Sequence, residues 1–473
     1  MDLRDKKVVV VGLGVSGESV CRFCRARGAQ VLGVDDKDRA SFPEAVATRL
    51  EGDGVELFLG GQPEARLAEA DVVVVSPGVP SSPALDAAEA RGVPLVAEVE
   101  LASWFIDAPI VAITGTNGKS TVTALIGEML SRTGRPTFVG GNLGTALIDA
   151  VGTAAAEADG RVVAELSSFQ LERIAHLKPA VSVLLNVTED HLDRYPTMAA
   201  YTAAKGRIFV AQDEADAAVV NGDDPLCVAL AGAGRAKVHR FGSRGSERCE
   251  VYEADGAVVD EGTGETYALA AFKLAGAHNR SNACAAILAA RLAGAPPDAI
   301  AGALESFTGL PHRMEYVGEA RGVSFYDDSK ATNVGAAVAA LLGMDRPVVL
   351  IAGGRDKGGD YGPLREQVVQ RARAVVLIGE AATLMEEALA GPVPIVRAGT
   401  MKEAVERAAT EAQPGDAVVL APACSSFDMF ANYKARGEAF SKAVANFLPP
   451  RVVSGDAREE RGTGKERRHG GNT

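Results

Sequence analysis

The sequence predicts an α/β fold in three units, and three observations carry that prediction. The chain has 473 residues, which at roughly 150 per domain makes three domains. Short apolar runs alternate with helix-compatible stretches along almost its whole length, the pattern of parallel sheets joined by crossover helices. Two of those runs end in glycine turns that open directly into a helix. Hydrophobic residues make up 47% and charged residues 23%, the balance of a globular chain with an ample core.

The first unit spans residues 1–99. Lys7 to Val11 reads as a strand and Gly12-Leu-Gly14-Val-Ser-Gly17 as a turn. The helix that follows ends at Gly28, suited to the left-handed position after a helix. Val31 to Val34 is a second strand, ending at Asp35 and Asp36, and Asp71 to Val75 a third, ending in Ser76-Pro77-Gly78. A GxGxxG turn with an acid ~20 residues later is a dinucleotide fingerprint. Taken alone it fits a nicotinamide dinucleotide, any other nucleoside diphosphate, or a turn with no ligand, because the glycines only let a helix N-terminus approach a pyrophosphate.

The second unit spans 100–309. Ile110 to Ile113 is a strand, Gly115-Thr116-Asn117-Gly118-Lys119-Ser120-Thr121 a loop, and ALIGEML part of the next helix. Such a loop turns backbone N–H groups around a phosphate, with a lysine for the outer phosphates and a hydroxyl for Mg²⁺. Position 113 is Ile where the full Walker pattern has Gly, so this is a shorter variant. Val162 to Ala164, Val181 to Leu185 and Ala217 to Val220 are further strands. Glu165 ends the first of these, and Asp190 and His191 follow the second. Ligands of parallel sheets gather beyond the carboxyl ends of strands, so all three can meet the loop in one crevice as oxygen and nitrogen ligands. Lys205 reads as a helix-surface lysine or a functional one. Asn279, in His278-Asn279-Arg-Ser-Asn282, is expected to cap the Ala-rich helix that follows or, with Asn282, to hydrogen-bond a nucleotide base or metal-bound water.

The third unit spans 310–450, with strands at Ser324 to Tyr326, Val348 to Ala352, Val375 to Ile378 and Ala417 to Leu420. The loops around them carry PHRME (311–315), DDSKATN (327–333), GGRDKGG (353–359) and PACSSFD (422–428). These are strand-end segments rich in cations, hydroxyls and glycines, suited to a carboxylate. The tail, 451–473, lacks apolar periodicity and is expected to be disordered.

The formal net charge is −13, which argues against a nucleic-acid partner but not against anionic substrates, since a few local cations override a global field. No apolar run approaches ~18 residues, so no membrane span is expected, and the N-terminus lacks a signal-peptide layout. Six cysteines in so long a chain make no disulfide scaffold; the Cys21–Cys24 pair and Cys424 read as packing residues, and the cytoplasm is the expected compartment.

In their order along residues 1–450, GTNGKST, ELSSFQLE, NVTEDHLDRY, YTAAKGRIF, HNRSN, PHRME, DDSKATN and GGRDKGG closely resemble the motifs of the Mur ligase family, the ATP-dependent amide-forming enzymes of peptidoglycan synthesis. GLGVSG with Asp35, DDSKATN, GGRDKGG and ACSSFD are in the style of the member that adds D-glutamate to UDP-N-acetylmuramoyl-L-alanine; the DNPR-type signature of the diaminopimelate-adding member is absent. The resemblance implies a Rossmann-like N-terminal domain, a central P-loop mononucleotide-binding domain and a C-terminal Rossmann-like domain. Val15, Ser16, Asp35, Asp36 and Gly78, with Asn142 of GGNLG, would then hold the uridine diphosphate end. Gly115 to Thr121, Asn279, Asn282, Arg313 and Asp328 would hold ATP. Ser120, Glu165, His191 and Lys205 would serve two Mg²⁺ ions, Lys205 as a carbamate made with CO₂. Lys330, Thr332, Lys357, Ser426, Phe427 and Tyr433 would surround D-glutamate. Lys119, His191, Lys205, Arg313 and Lys330 would be catalytic, and a monomer is expected. A sister ligase for another amino acid is the alternative within the family. A nicotinamide oxidoreductase leaves GTNGKST unexplained, and a nonenzymatic nucleotide-binding regulator leaves the lysines of the third unit unexplained.

Overall fold

The computed structural model describes residues 2–447 apart from 193, 247, 248, 273 and 275; the tail expected to be disordered lies outside the described residues. Among the described residues, three sheets follow one another along the chain.

The first sheet contains β1 (Lys7–Val11), β2 (Gln30–Asp35), β3 (Glu56–Leu59), β4 (Val72–Val75) and β5 (Leu95–Ala97), all parallel, in the order β3-β2-β1-β4-β5. The order reverses between β1 and β4, and at such a switch point the loops leaving the two strands part to leave a crevice. β1 and β4 are near-continuous valine because both faces are covered. The helix Val15–Ala26 packs Cys21 and Cys24 inward. Burial pushes the thiol of Cys24 up to about 12 and that of Cys21 further still, so both are neutral packing groups.

The second sheet contains β6 (Ile110–Thr114), β7 (Thr137–Gly141), β8 (Arg161–Glu165), β9 (Val181–Leu184), β10 (Ala217–Asn221), β11 (Lys237–Ser243), β12 (Val251–Ala254), β13 (Ala257–Asp260) and β14 (Glu265–Ala268). Its order is β14-β13-β12-β11-β10-β9-β6-β8-β7, parallel except for β13, which runs antiparallel to its neighbours β12 and β14. β6 lies between β8 and β9, with Ile113 opposite Glu165 and Thr114 opposite Leu184. Three strand ends therefore converge where the phosphate loop begins. The helix Lys119–Ser131 is almost wholly buried between this sheet and the helix Ala277–Leu292, whose many alanines between Ala283 and Ala290 let the two approach closely. Gly276 holds the cap position of the latter helix, and Asn279 lies inside its first turn. The expected capping role of Asn279 is thereby corrected: its side-chain oxygen accepts from Asn282 Nδ2 (3.3 Å) instead.

The third sheet contains β15 (Glu315–Ala320), β16 (Val323–Asp327), β17 (Val348–Gly353), β18 (Ala372–Ile378), β19 (Ile395–Arg397) and β20 (Ala417–Leu420), in the order β15-β16-β20-β17-β18-β19. β15 alone runs antiparallel. Distinct apolar clusters cover its two faces.

Candidate active site

The cleft is built outward from the phosphate loop. Gly115 and Gly118 have φ of +153° and +85°, which glycine adopts without a Cβ penalty. A Cβ on Gly118 would come within 2.4 Å of Asn282 Oδ1, so this loop and the helix Ala277–Leu292 are fitted to each other. The loop is fastened from β9: Thr116 N–H donates to the Asn186 carbonyl (3.0 Å), Asn117 N–H to Asn186 Oδ1 (2.8 Å) and Thr188 N–H to Thr116 Oγ1 (3.0 Å). Lys119 Nζ donates to the Gly115 and Thr116 carbonyls (2.8 and 2.9 Å), and burial lowers its pKa.

Lys205 is a surface lysine by composition and a buried one in fact, 1% exposed. Its Nζ also donates to the Gly115 carbonyl (2.8 Å) and lies 4.5 Å from the ring centroid of Tyr201, one helical turn earlier. Burial, reinforced by the neighbouring charge of Lys119, lowers its pKa well below that of an ordinary lysine. Across the cleft Glu165 is buried; Oε1 accepts from Asn142 Nδ2 (2.5 Å), while Oε2 has no hydrogen-bond partner among the described residues. A buried carboxylate oxygen without a donor is costly, and a cation is the group it suits.

Asp190 and His191 follow β9. Asp190 Oδ1 accepts from Lys357 Nζ (3.0 Å) and Oδ2 from Asn333 Nδ2 (2.9 Å). Burial alone would raise the Asp190 carboxyl; Lys357, His191 and Asn333 outweigh it and hold the group below its ordinary value. His191 takes a φ of +56° and packs its ring edgewise on Phe169, centroids 4.8 Å apart.

The third unit closes the other side. Arg313 donates to Ser120 Oγ (2.6 Å), and Asn333 Nδ2 reaches Asn117 Oδ1 (3.2 Å). Lys330 Nζ lies 4.0 Å from the ring centroid of Tyr433. Burial, aided by the charge of Arg313, lowers the Lys330 amine to about 7, and burial raises the Asp328 carboxyl to about 7 against the pull of Arg313. The resulting cleft, about 370 Å³, brings together Thr116, Asn117, Gly118, Lys119, Asn142, Glu165, His191, Lys205, Arg313, Lys330, Thr332, Lys357, Ser426, Phe427 and Tyr433. A second hollow of about 160 Å³ adjoins it through Asn117, Gly118, Arg313 and Lys330, and is lined by Thr121, Asn279, Asn282 and Asp328.

Arg436 organises this wall from behind. It is 1% exposed and, among the described residues, its hydrogen bonds go to a hydroxyl and to carbonyls. Nε donates to Ser329 Oγ (3.0 Å), Nη2 to the Ser329 carbonyl (2.8 Å), and Nη1 to the carbonyls of Cys424 and Ser425 (3.1 and 3.2 Å). One guanidinium thus joins the loop of Lys330 to the loop of Ser426.

The residues expected for the sugar nucleotide gather at the switch point of the first sheet, apart from one. Asp35 Oδ2 accepts from the Leu13 N–H (2.9 Å), and Asp36 Oδ1 from Gln62 Nε2 (3.4 Å). Val15 stands exposed at the start of its helix, with Ser16 beside it, and Gly78 has open space where a Cβ would be. Asn142 is in the central cleft instead, bonded to Glu165. Asn333, Tyr201 and Asn186 join the site without having been singled out in the sequence. The signal for Tyr201 was its i, i+4 spacing to Lys205, and for Asn186 its place at a strand end.

A nucleotide-type phosphate loop facing cations from a second α/β unit defines the class as a multidomain α/β phosphate-loop protein. The model of the Mur ligase middle domain matches residues 113–290, that of the Mur ligase glutamate ligase domain residues 312–424, and that of the MurD-like N-terminal domain residues 6–97. The UDP-N-acetylmuramoylalanine--D-glutamate ligase of Desulfatibacillum aliphaticivorans is 47% identical over 455 residues, covering 95% of this chain and all of that protein. The protein of the same name from Geotalea uraniireducens is 47% identical over 447 residues, covering 94% and 98%. The chain belongs to the Mur ligase family. Solved structures share the fold. A pseudomurein peptide ligase type C from Methanothermus fervidus has TM-score 0.58 and 18% identity, covering 94% of this chain and all of that one. MurF ligase from Thermotoga maritima in complex with ADP has TM-score 0.58 and 17% identity, covering 94% and 96%.

Proposed function

We propose that this chain is an ATP-dependent amide ligase that joins D-glutamate to the carboxyl end of UDP-N-acetylmuramoyl-L-alanine, releasing ADP and phosphate, in the cytoplasmic synthesis of peptidoglycan precursors. The observation that carries the reading is the central cleft, where the phosphate loop with Lys119 faces Arg313, Lys330 and Lys357 from the third unit. Near-full-length identity to ligases of that name supports the choice of substrates.

The division of labour follows the three units, with boundaries at 99 and 309. Val15, Ser16, Asp35, Asp36 and Gly78 hold the uridine diphosphate end. Asn142 meets that substrate where it enters the central cleft. ATP lies along the loop, with Asn279, Asn282 and Asp328 at its nucleoside end and Lys119 and Arg313 at its outer phosphates. Lys330, Thr332, Lys357, Ser426, Phe427 and Tyr433 receive D-glutamate.

The orphaned oxygen of Glu165 and the hard-oxygen donor set around it fit Mg²⁺. Ser120 and Glu165 would hold one ion; His191 and Lys205, once carbamylated, a second. An ammonium cannot ligate a metal, whereas an amine kept neutral by burial can take up CO₂ to become an anionic oxygen ligand, which the lowered pKa of Lys205 favours. When bound, the ions neutralise phosphoryl charge and help align it.

The residues then act by position and charge. A carboxylate is a poor acyl donor because oxide would have to leave; transfer of the γ-phosphoryl group gives an acyl phosphate that releases phosphate instead. Lys119 and Arg313 stabilise the charge that develops on the phosphoryl oxygens. Lys330 and Lys357 hold the acceptor's carboxylates, so that its amine faces the acyl carbon. The contacts of Arg313 and Asn333 with the loop keep water from the acyl phosphate.

Phosphate release measured against a panel of amino acids tests the reading. Turnover is expected only with the UDP-sugar-alanine and D-glutamate together; equal turnover with L-lysine or diaminopimelate would overturn the substrate assignment.

A further inference from the structure

We propose that Arg194 is a positioning residue that couples the Ser76–Val79 turn of the first unit to the His191 turn of the central unit, so that a sugar nucleotide on one tightens divalent-cation binding at the other. The proposal rests on the function proposed above for these two turns.

Arg194 makes contacts in two units. One of its guanidinium nitrogens donates to the Pro77 carbonyl (3.4 Å) and another to the Val79 carbonyl (3.2 Å), the residues on either side of Gly78. The same Nη2 donates to Glu172 Oε2 (3.1 Å), and Glu172 Oε1 in turn accepts from the Tyr195 hydroxyl (2.5 Å). The planar group lies over the Phe169 ring, 4.4 Å from its centroid, and that ring carries the imidazole of His191 on its edge. The backbone N–H groups of Arg194 and Tyr195 both donate to the His191 carbonyl (3.0 and 2.9 Å).

This arrangement has a physical consequence. His191 sits in a left-handed conformation that costs a non-glycine residue about 1–2 kcal/mol, so it needs outside support to stay there. Its carbonyl is held by two N–H groups from the segment whose side chain grips the first unit. A guanidinium is a rigid fork of donors, so settling the Ser76–Val79 turn settles the fork, the Phe169 ring below it and the imidazole against that ring. A ligand that orders the turn thereby removes part of the ordering cost for a ligand of His191. Such coupling must be reciprocal.

The test is calorimetric titration of the full-length protein with Mn²⁺ in the presence of a β,γ-methylene ATP analogue, with and without UDP-N-acetylmuramoyl-L-alanine. In the wild type the sugar nucleotide is expected to tighten Mn²⁺ about fivefold or more. In Arg194→Ala the ratio is expected to fall to about one. Arg194→Lys, which offers one point donor in place of the fork, and Glu172→Gln, which keeps the arginine and weakens its anchor, are expected to give intermediate ratios. They carry the test if the alanine variant does not fold by circular dichroism. A purely structural clamp would lower stability and leave the ratio at its wild-type value, and that result overturns the proposal, as does a wild-type ratio near one. Failure of the wild type to bind the sugar nucleotide at all would instead sink the proposed function on which the coupling rests.

Discussion

At the scale of single residues, the site depends on charged groups placed where water cannot reach them. Lys205 shows the chemistry most plainly: a buried amine above a tyrosine ring, pushed toward its neutral form. Lys205→Ala is expected to lose turnover by on the order of 100-fold, and formate or acetate in the assay is expected to restore part of it by supplying the missing carboxylate; full activity in the untreated variant would remove the carbamate. Arg436 works at a distance from the chemistry. Arg436→Met removes the guanidinium from four acceptors, of which the Ser425 carbonyl keeps the Arg355 N–H, and is expected to cost about 3 kcal/mol, seen as a lowered unfolding midpoint. It is also expected to raise KM for D-glutamate more than KM for ATP. Lys119, Ser120 and Glu165 were legible in the sequence because local motifs fix them at strand ends. Arg436 was not, since one arginine in a polar helix reads as solvated, and nothing nearby in sequence reveals the three carbonyls it meets. Asn142 was legible as a site residue, but its neighbour Glu165 follows from the pairing of β7 with β8, which one sequence does not display.

At the scale of elements, the strands found from sequence are the buried apolar ones, and those missed lie at the margins of the sheets. β12 and β13 are joined by Asp255-Gly256, and β15 and β16 by Arg321-Gly322, each pair with two positive φ values, the backbone of a two-residue hairpin turn. The polar, half-exposed faces of β12, β13 and β15 gave no apolar run to detect, whereas the buried β16 was read from its sequence. The GxGxxG turn was readable because its need is steric: a Cβ on Gly17 would come within 2.0 Å of the Gly12 carbonyl oxygen. Gly17→Ala is expected to cost about 1–3 kcal/mol and to weaken binding of the sugar nucleotide in direct titration. The short helix Glu98–Ser103 joins the first two units and carries a pH response. Glu98 is buried; Oε1 accepts from the Ile148 N–H (2.7 Å), and Oε2 has no hydrogen-bond partner among the described residues. Burial raises its pKa from 4.5 to about 7. The folded protein therefore keeps this proton after the unfolded chain has lost it, and the contribution of Glu98 to stability falls as the pH rises from about 4.5 to about 7, by up to about 3 kcal/mol. Glu98→Gln is expected to lack that loss, so its unfolding midpoint should gain on the wild type between pH 5 and pH 8 (roughly 1.4 kcal/mol per unit at most). Parallel curves would disprove it.

At the scale of the whole molecule, the phosphate loop, Asp190 and the DDSKATN loop follow parallel strands of two different sheets and meet in one cleft. Order along the chain suggested three α/β units, and the comparisons agree with the fold class. What one sequence could not display is which loops touch. Asp190 is held by Asn333 and Lys357, 143 and 167 positions away, and such contacts become visible only once the units are assembled. Lys119→Ala is expected to abolish phosphate release while leaving the affinity for the sugar nucleotide within about twofold, since the two anions rest on different sheets; loss of both with the fold intact would contradict the separation. The contact of Arg313 with Ser120, together with the grip of Lys357 on Asp190, carries a further consequence. The seam joins units that have cores of their own, so heat can part it while every core stays intact. Warmed gradually, the enzyme should fall silent several degrees before a calorimeter registers melting, and should regain its rate on cooling from that interval.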